Sequence, residues 1–268
     1  MPEGHTLHRL ARTLNRTFGG HVVGSSSPQE RFTAGAALVD GTTFGRAQAW
    51  GKHLLVAVAG SEDMVHVHLG LYGSFTVTAA DDVPVVGQVR WRLTRPGATA
   101  DLRGPTACEL LDPPAVDALL ARLGPDPLRR DADPDRAWRR IHASRAPIAT
   151  LLMDQAVIAG IGNVYRAELL FRHRVDPTTP GRDVEESTWT AMWDDIVELM
   201  KDGVRKGRIV TVRPEDAPGP AGRGRRRGKV SYVYRRTGLP CLVCGTPVQT
   251  RVLAGRNLFW CPTCQQRG

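Results

Sequence analysis

The sequence predicts an α+β protein of more than one domain. An N-terminal helix precedes an antiparallel β-sandwich, and a helical domain follows that ends in a four-cysteine zinc-finger hairpin. Three observations predict this. Short β-runs separated by turns fill residues from about 20 to 112, helical patterns fill about 134 to 206, and four of the five cysteines lie in two close pairs near the C-terminus. A chain of 268 residues is long enough for each domain to own a core.

Leu7, Leu10, Ala11, Leu14 and Phe18 recur at helical spacing, so a short amphipathic helix starts directly behind Pro2 and Glu3. Termini usually fray, and a tip held this closely implies a job for it. The runs HVVGSS, HLLVAVAG, MVHVHLGLYGSFTVT and QVRWRLTR alternate, or carry β-branched and aromatic residues, as strands do. DPPAVDALLARLG reads as a helix with Pro near its start and Gly at its end. LGPDPLRRDADPD, rich in Pro and Asp, reads as the linker. DRAWRRIHA, PIATLLMDQAVIA, NVYRAELLFRH and ESTWTAMWDDIVELMKDGVRKG carry the helical patterns. PEDAPGPAGRGRRRGK is Pro/Gly-rich and basic, which predicts a mobile loop, with 221–229 as its basic part. The expected domains are 1–123, 124–229 and 230–268.

Lys and Arg total 36 against 27 Asp and Glu, a net +9. That excess favours a polyanionic partner, nucleic acid before membrane, although a solvated basic surface gives the same number. Lys occurs only at 52, 201, 206 and 229. No apolar segment is long enough to span a membrane and no secretory signal is recognisable, so a cytoplasmic, nucleoid-associated protein is expected.

Cys241 and Cys244 form one CxxC pair and Cys261 and Cys264 the other, with 16 residues between the pairs. Two such turns place four thiolates around one Zn²⁺, and four cysteine ligands leave no open position, so the zinc is structural. Cys108 stands apart and reads as a buried small hydrophobe. Gly160 and Gly162 precede Asn163, which the pattern makes the N-cap of the next helix. Such a helix start binds anions, and it is equally an ordinary glycine turn. Removal of Met1 would leave Pro2 as a terminal secondary amine, with a typical pKa of about 8. Such an amine can attack a sugar carbon to give an iminium, and Glu3 beside it can move protons.

Together PEGHTLHRLA, GKHLL, HLGLYGSF, AGIGNVYRAELLF and GRNLFWCPTCQ resemble, in order and over essentially the whole chain, the formamidopyrimidine-DNA glycosylase and endonuclease VIII family. The resemblance implies a helix–two-turn–helix in the second domain, damaged DNA held between two domains, and a bifunctional glycosylase and AP lyase. Pro2 would attack C1′ and expel the base, with β- and δ-elimination following. It implies proton handling by Glu3, a catalytic and phosphate-contacting Lys52, and phosphate contacts from Asn163 and Arg256. His68 and Tyr234 match further phosphate-contact positions. Leu71 and Tyr72 would fill the hole left by the flipped nucleotide, or else pack in the core of a hairpin.

PEGHT is closer to the PEGPE of endonuclease VIII than to PELPE, and DLRGPTACELL has Arg103 without the Phe of an Arg-x-Phe wedge. Oxidised pyrimidines are therefore the expected substrate. The alternatives are a formamidopyrimidine/8-oxoguanine glycosylase and a non-catalytic paralogue that only binds damaged DNA. A monomer is expected. Arg225, Arg226 and Arg227 read as a non-specific phosphate arm.

Overall fold

The computed structural model describes residues 2–81, 83–217 and 231–266. Two compact units divide the chain, 1–123 and 124–268.

The first unit opens with α1 (Gly4–Phe18), followed by β1 (Gly24–Ser26), α2 (Thr33–Val39), β2 (Phe44–Trp50), β3 (His53–Val58), β4 (Met64–His68), β5 (Ser74–Thr78), β6 (Val89–Arg95), β7 (Ala98–Arg103), β8 (Ala107–Leu111) and α3 (Pro113–Ala121). Its strands form two four-stranded antiparallel sheets, ordered β1-β6-β7-β5 and β2-β3-β4-β8. Alternation along β3 sends Leu54, Val56 and Val58 into one core with Trp91, Leu93 and Leu102 of the other sheet. The apolar face of α1, with Leu7, Leu10, Leu14 and Phe18, enters the same core and packs on β2. This is the expected sandwich behind a helix.

Two local expectations differ. The run HVVGSS is a strand only over Gly24–Ser26, and Val22 makes one isolated bridge to Thr43. The segment TAGAALV forms α2 inside the region that reads as β-runs, because Ala36 and Val39 lie on one face that the core accepts.

The second unit contains α4 (Pro134–His142), α5 (Ile148–Leu151), α6 (Asn163–Arg172), α7 (Glu186–Lys206) and the hairpin β9 (Gln249–Leu253) and β10 (Arg256–Trp260). Trp189, Met192, Trp193, Ile196, Leu199 and Met200 form the buried stripe of α7, and Gly207 in the left-handed region (φ 67°) ends that helix. The expected helix over PIATLLMDQAVIA is only the short α5. Beyond it Asp154 accepts the N–H of Ala156 (2.8 Å), while Gln155 accepts the N–H of Gly160 (3.0 Å) and donates to the Ile161 carbonyl (3.0 Å). These side chains satisfy the backbone in a tight loop where a helix ladder would otherwise run. No described helix is long and apolar enough to cross a membrane. The basic loop 221–229, with Arg225, Arg226 and Arg227, lies outside the described residues.

Candidate active site and nucleic-acid interface

At the tip of the first unit, Glu3 is wholly buried and extended (φ −122°, ψ 177°) immediately before α1, with its carbonyl accepting the N–H of Thr6 (2.8 Å). Pro2 is half-buried. His5 is buried too, and burial lowers its pKa to about 4, with the chain's amino terminus and His8 acting in the same direction. Its imidazole is therefore neutral near pH 7.

Lys52 is half-buried in the β2–β3 turn, beside a ladder of histidines. In β3, His53 pairs opposite His68 of β4, and His66 of β4 pairs opposite Glu109 of β8. Period-two alternation puts all four on one sheet face. Glu109 Oε1 lies 2.9 Å from His66 Nδ1, and His66 Nε2 lies 2.9 Å from His53 Nδ1. A carboxylate accepts only, so His66 donates to it from Nδ1. The His53 ring also packs on that of His68, centroids 4.9 Å apart. Burial first, then His66, His68, Arg122 and Lys52, lowers the His53 pKa to about 3, and burial likewise lowers that of His68. The structure thus brings Lys52 and His68 to one histidine ladder.

Leu71 and Tyr72 occupy the loop between β4 and β5 and are 42% and 92% exposed, so the core-packing alternative does not hold for Tyr72. Gly70 fixes this loop: its φ of 67° and the Thr106 hydroxyl against its Cα leave no room for a side chain. Arg103 ends β7 and is held by Asp101 (2.8 Å).

In the second unit Asn163 does not cap α6. The extended Gly162 is the N-cap, and Asn163 is the first helical residue. Glycine takes the cap because the Asn163 side chain is engaged elsewhere: its Nδ2 donates to the Asn257 carbonyl (3.0 Å) and its Oδ1 accepts from Arg166. Arg256 is exposed and is the first residue of β10, after the turn Ala254–Gly255. Both turn residues have positive φ (46° and 71°), as a two-residue hairpin requires. Asn163 and Arg256 are thereby neighbours. Tyr234 sets its ring edge-on to Phe259 of β10 (5.3 Å), with the Arg235 guanidinium 5.5 Å from the Tyr234 centroid. The backbone N–H of Tyr234 donates to Glu168 (2.9 Å). That wholly buried carboxylate also accepts the N–H groups of Tyr232 (2.7 Å) and Val233 (2.9 Å) and the hydroxyl of Thr211 (2.5 Å).

The four sulfurs of Cys241, Cys244, Cys261 and Cys264 lie within 4.8 Å of one another. Cys241 and Cys264 are 3.9 Å apart, and Cys244 and Cys261 are 3.5 Å apart. A tetrahedral zinc with sulfurs at about 2.3 Å requires edges of about 3.8 Å, so the donor set fits one Zn²⁺. N–H groups of Val243 and Cys264 point at Cys241 and Cys261 sulfurs (3.5 Å each), as thiolate ligands require. Gln265 anchors the knuckle, accepting the N–H of Cys261 and donating to the Val175 carbonyl, both at 3.0 Å.

Sequence reasoning misses His53, His66, Glu109, Arg166, Glu168 and Asn257. The HVH alternation is a signal for the ladder, and an acidic residue inside the apolar run AELLF is one for Glu168. Nothing in the sequence singles out the Asn257 carbonyl.

Three family models together match most of the chain. They are the formamidopyrimidine-DNA glycosylase N-terminal domain over 1–108, the formamidopyrimidine-DNA glycosylase H2TH domain over 123–213, and a zinc finger found in FPG and IleRS over 238–267. The class this fold defines is a zinc-finger DNA glycosylase of base excision repair with AP lyase activity. The chain belongs to the formamidopyrimidine-DNA glycosylase family. It is 55% identical to endonuclease 8 1 of Mycobacterium tuberculosis, over 99% of this chain and 100% of the relative. It is 33% identical to the formamidopyrimidine-DNA glycosylase of Thermus thermophilus, over 100% and 98% of the two chains. The crystal structure of the MutM (Fpg) protein from Thermus thermophilus superposes with a TM-score of 0.78 at 30% identity, covering 100% of both chains. The fold is also that of Lactococcus lactis Fpg in complex with DNA containing N7-benzyl-Fapy-dG (TM-score 0.81, 22% identity, 99% and 100% covered).

Proposed function

We propose that the chain excises oxidised pyrimidines from damaged DNA, with Pro2 as nucleophile. The observation that carries this reading is the tip itself: Pro2 directly precedes a wholly buried Glu3 at the start of a helix whose apolar face is sunk in the sandwich core. A nucleophile needs such fixed placement.

After removal of Met1, the Pro2 nitrogen lone pair forms a bond to C1′. The glycosidic bond breaks, and the base leaves with a proton. The sugar ring opens as O4′ takes a proton, for which Glu3 is the nearest candidate, and an iminium joins Pro2 to C1′. Loss of a C2′ proton expels the 3′ phosphate, and a second elimination expels the 5′ phosphate. Hydrolysis of the iminium returns the amine. Lys52 and His68 would hold phosphate beside the reacting nucleotide, the latter as a neutral N–H donor. Asn163, Arg256 and Tyr234 would clamp the flanking backbone, offsetting the few kcal/mol that base flipping costs, about the unstacking of one nucleotide. Leu71 and Tyr72, exposed on their glycine-bounded loop, would fill the gap. The zinc would hold the hairpin that carries Arg256 and take no chemical part.

The pyrimidine preference is supported by the higher identity to the endonuclease 8 relative and by Arg103, which lies in an ion pair with Asp101 and has no adjoining Phe. We read the working form as a monomer in the cytoplasm, at the nucleoid. The net +9 charge supports the DNA partner.

The test is borohydride trapping on duplexes carrying thymine glycol, 5-hydroxyuracil, 8-oxoguanine or an abasic site. The expected outcome is an adduct on the pyrimidine lesions and the abasic site, lost in Pro2→Gly and when Met1 is retained. Glu3→Gln should slow base release by about 10²–10⁴-fold, the usual contribution of a proton-transfer group. Full trapping with Met1 retained overturns the nucleophile. Trapping mainly on 8-oxoguanine overturns the substrate class. Binding with no trapping makes the chain a non-catalytic binder.

A further inference from the structure

The start of α6 and the tip of the zinc-finger hairpin meet at a single oxygen. Asn257 directly follows Arg256, and its carbonyl accepts from Asn163 Nδ2 (3.0 Å) and from Arg166 Nη2 (2.9 Å). The same Nη2 also donates to Asn163 Oδ1. Arg166 stands one helical turn after Asn163, on the same face of α6, and is 1% exposed. A side chain so enclosed does not reach a phosphate itself.

Chemistry sets what this triangle does. A guanidinium only donates, so the amide atom of Asn163 that faces Arg166 must be the oxygen. The amide nitrogen then faces the Asn257 carbonyl with one N–H, and its second N–H is the one Asn163 can offer to an anion. Without the guanidinium the amide can turn over and present an oxygen, which repels phosphate. The Asn257 carbonyl would also lose one of its two donors, and with it part of what fixes Arg256 beside the helix.

We infer that Arg166 is a positioning residue that orients the Asn163 amide and couples it to Arg256, so that the two act on DNA phosphates as one clamp. The inference rests on the phosphate roles proposed above for those two residues. Lysine does not reproduce this, because its shorter, freely rotating ammonium lacks the two fixed N–H directions with which the planar Nη2 meets both acceptors.

The test is a double-mutant cycle on the full-length, zinc-loaded protein, with a duplex carrying a tetrahydrofuran abasic analogue as ligand. Arg256→Ala should weaken binding and reduce the slope of log K against log[salt] by about 0.9, the signature of one lost phosphate. Arg166→Lys and Arg166→Met should each weaken binding by about tenfold, within the range of coupling between touching residues. Each should also flatten the salt slope, although neither side chain meets DNA. Combined with Arg256→Ala they should add little further loss. Zinc content, read alongside, separates a collapsed finger from a misaligned one. Losses that add fully with an unchanged salt slope, or wild-type binding by both Arg166 variants, overturn the coupling. An Arg256→Ala protein that binds like wild type instead indicts the phosphate reading of the clamp.

Discussion

The two units hold their candidate residues by opposite means. In the first unit, Glu3, Lys52, His68 and the Leu71–Tyr72 loop sit at the margins of an apolar sandwich whose core is built from α1 and both sheets. In the second, Asn163, Tyr234 and Arg256 are held by the buried side chains of Arg166 and Glu168, by the Asn257 carbonyl, and by a four-sulfur knuckle. Apolar packing tolerates small adjustments of shape, whereas a buried polar group left without its partner costs its full desolvation. The second unit should therefore fail abruptly at single points, and the first should fail in proportion to the volume removed.

Metal removal tests the sharpest of these points. Structural zinc supplies about 10–16 kcal/mol in isolated finger peptides, so chelation should open the hairpin completely. Hydrogen exchange on the intact chain should show loss of protection through 231–266, while the slow amides of β3, β4 and β7 stay slow. Equal loss in both units would erase the contrast.

Trp91 measures the apolar side. It is wholly buried, packs against Phe32 and Phe75, and donates its indole N–H to Ser25 (2.9 Å). Trp91→Ala should cost about 3–5 kcal/mol, visible as a lower denaturant midpoint with zinc still bound.

Glu168→Gln isolates the polar side without changing shape. An amide offers one acceptor and turns N–H groups toward donors, so the substitution should cost about 3 kcal/mol. Its mark should be faster exchange of the amides of residues 232–234 in particular. Unchanged exchange there would mean that apolar contacts suffice to hold Tyr234.

The smallest effect is acid sensitivity in the first unit. His53 and His5 fold with pKa values lowered to about 3 and about 4 from an ordinary 6.5. Below pH 6.5 the unfolded chain binds protons that the folded chain refuses. Their contribution is complete above pH 6.5 and is lost as pH falls toward those values. Each should cost about 1 kcal/mol for a fall from pH 6.5 to 5.5. His53→Phe should flatten that slope in urea melts.

The same contrast explains what the sequence reveals. Sheet alternation, the α1 and α7 stripes and the CxxC pairs are local patterns with fixed periods, and they make the sandwich, the long helix and the zinc site legible. The short α2 escapes because its burial depends on strands far away in the chain. The loop after α5 escapes because Asp154 and Gln155 side chains replace a helix ladder there. Asn163 reads as a cap because only its local position is visible, and its true partner lies 94 residues away. The histidine ladder likewise needs strand register across β3, β4 and β8, which a single strand does not disclose.

Cys108 gives these differences a chemical readout. Its thiol lies in the sandwich core, and burial pushes its pKa to about 12, so it presents neither access nor thiolate to an alkylating reagent. The other four cysteines belong to the finger. A thiol reagent should therefore count four sulfurs when metal is withdrawn and the fifth only when the sandwich itself comes apart. The chain carries its own two-stage dosimeter of which half has been lost.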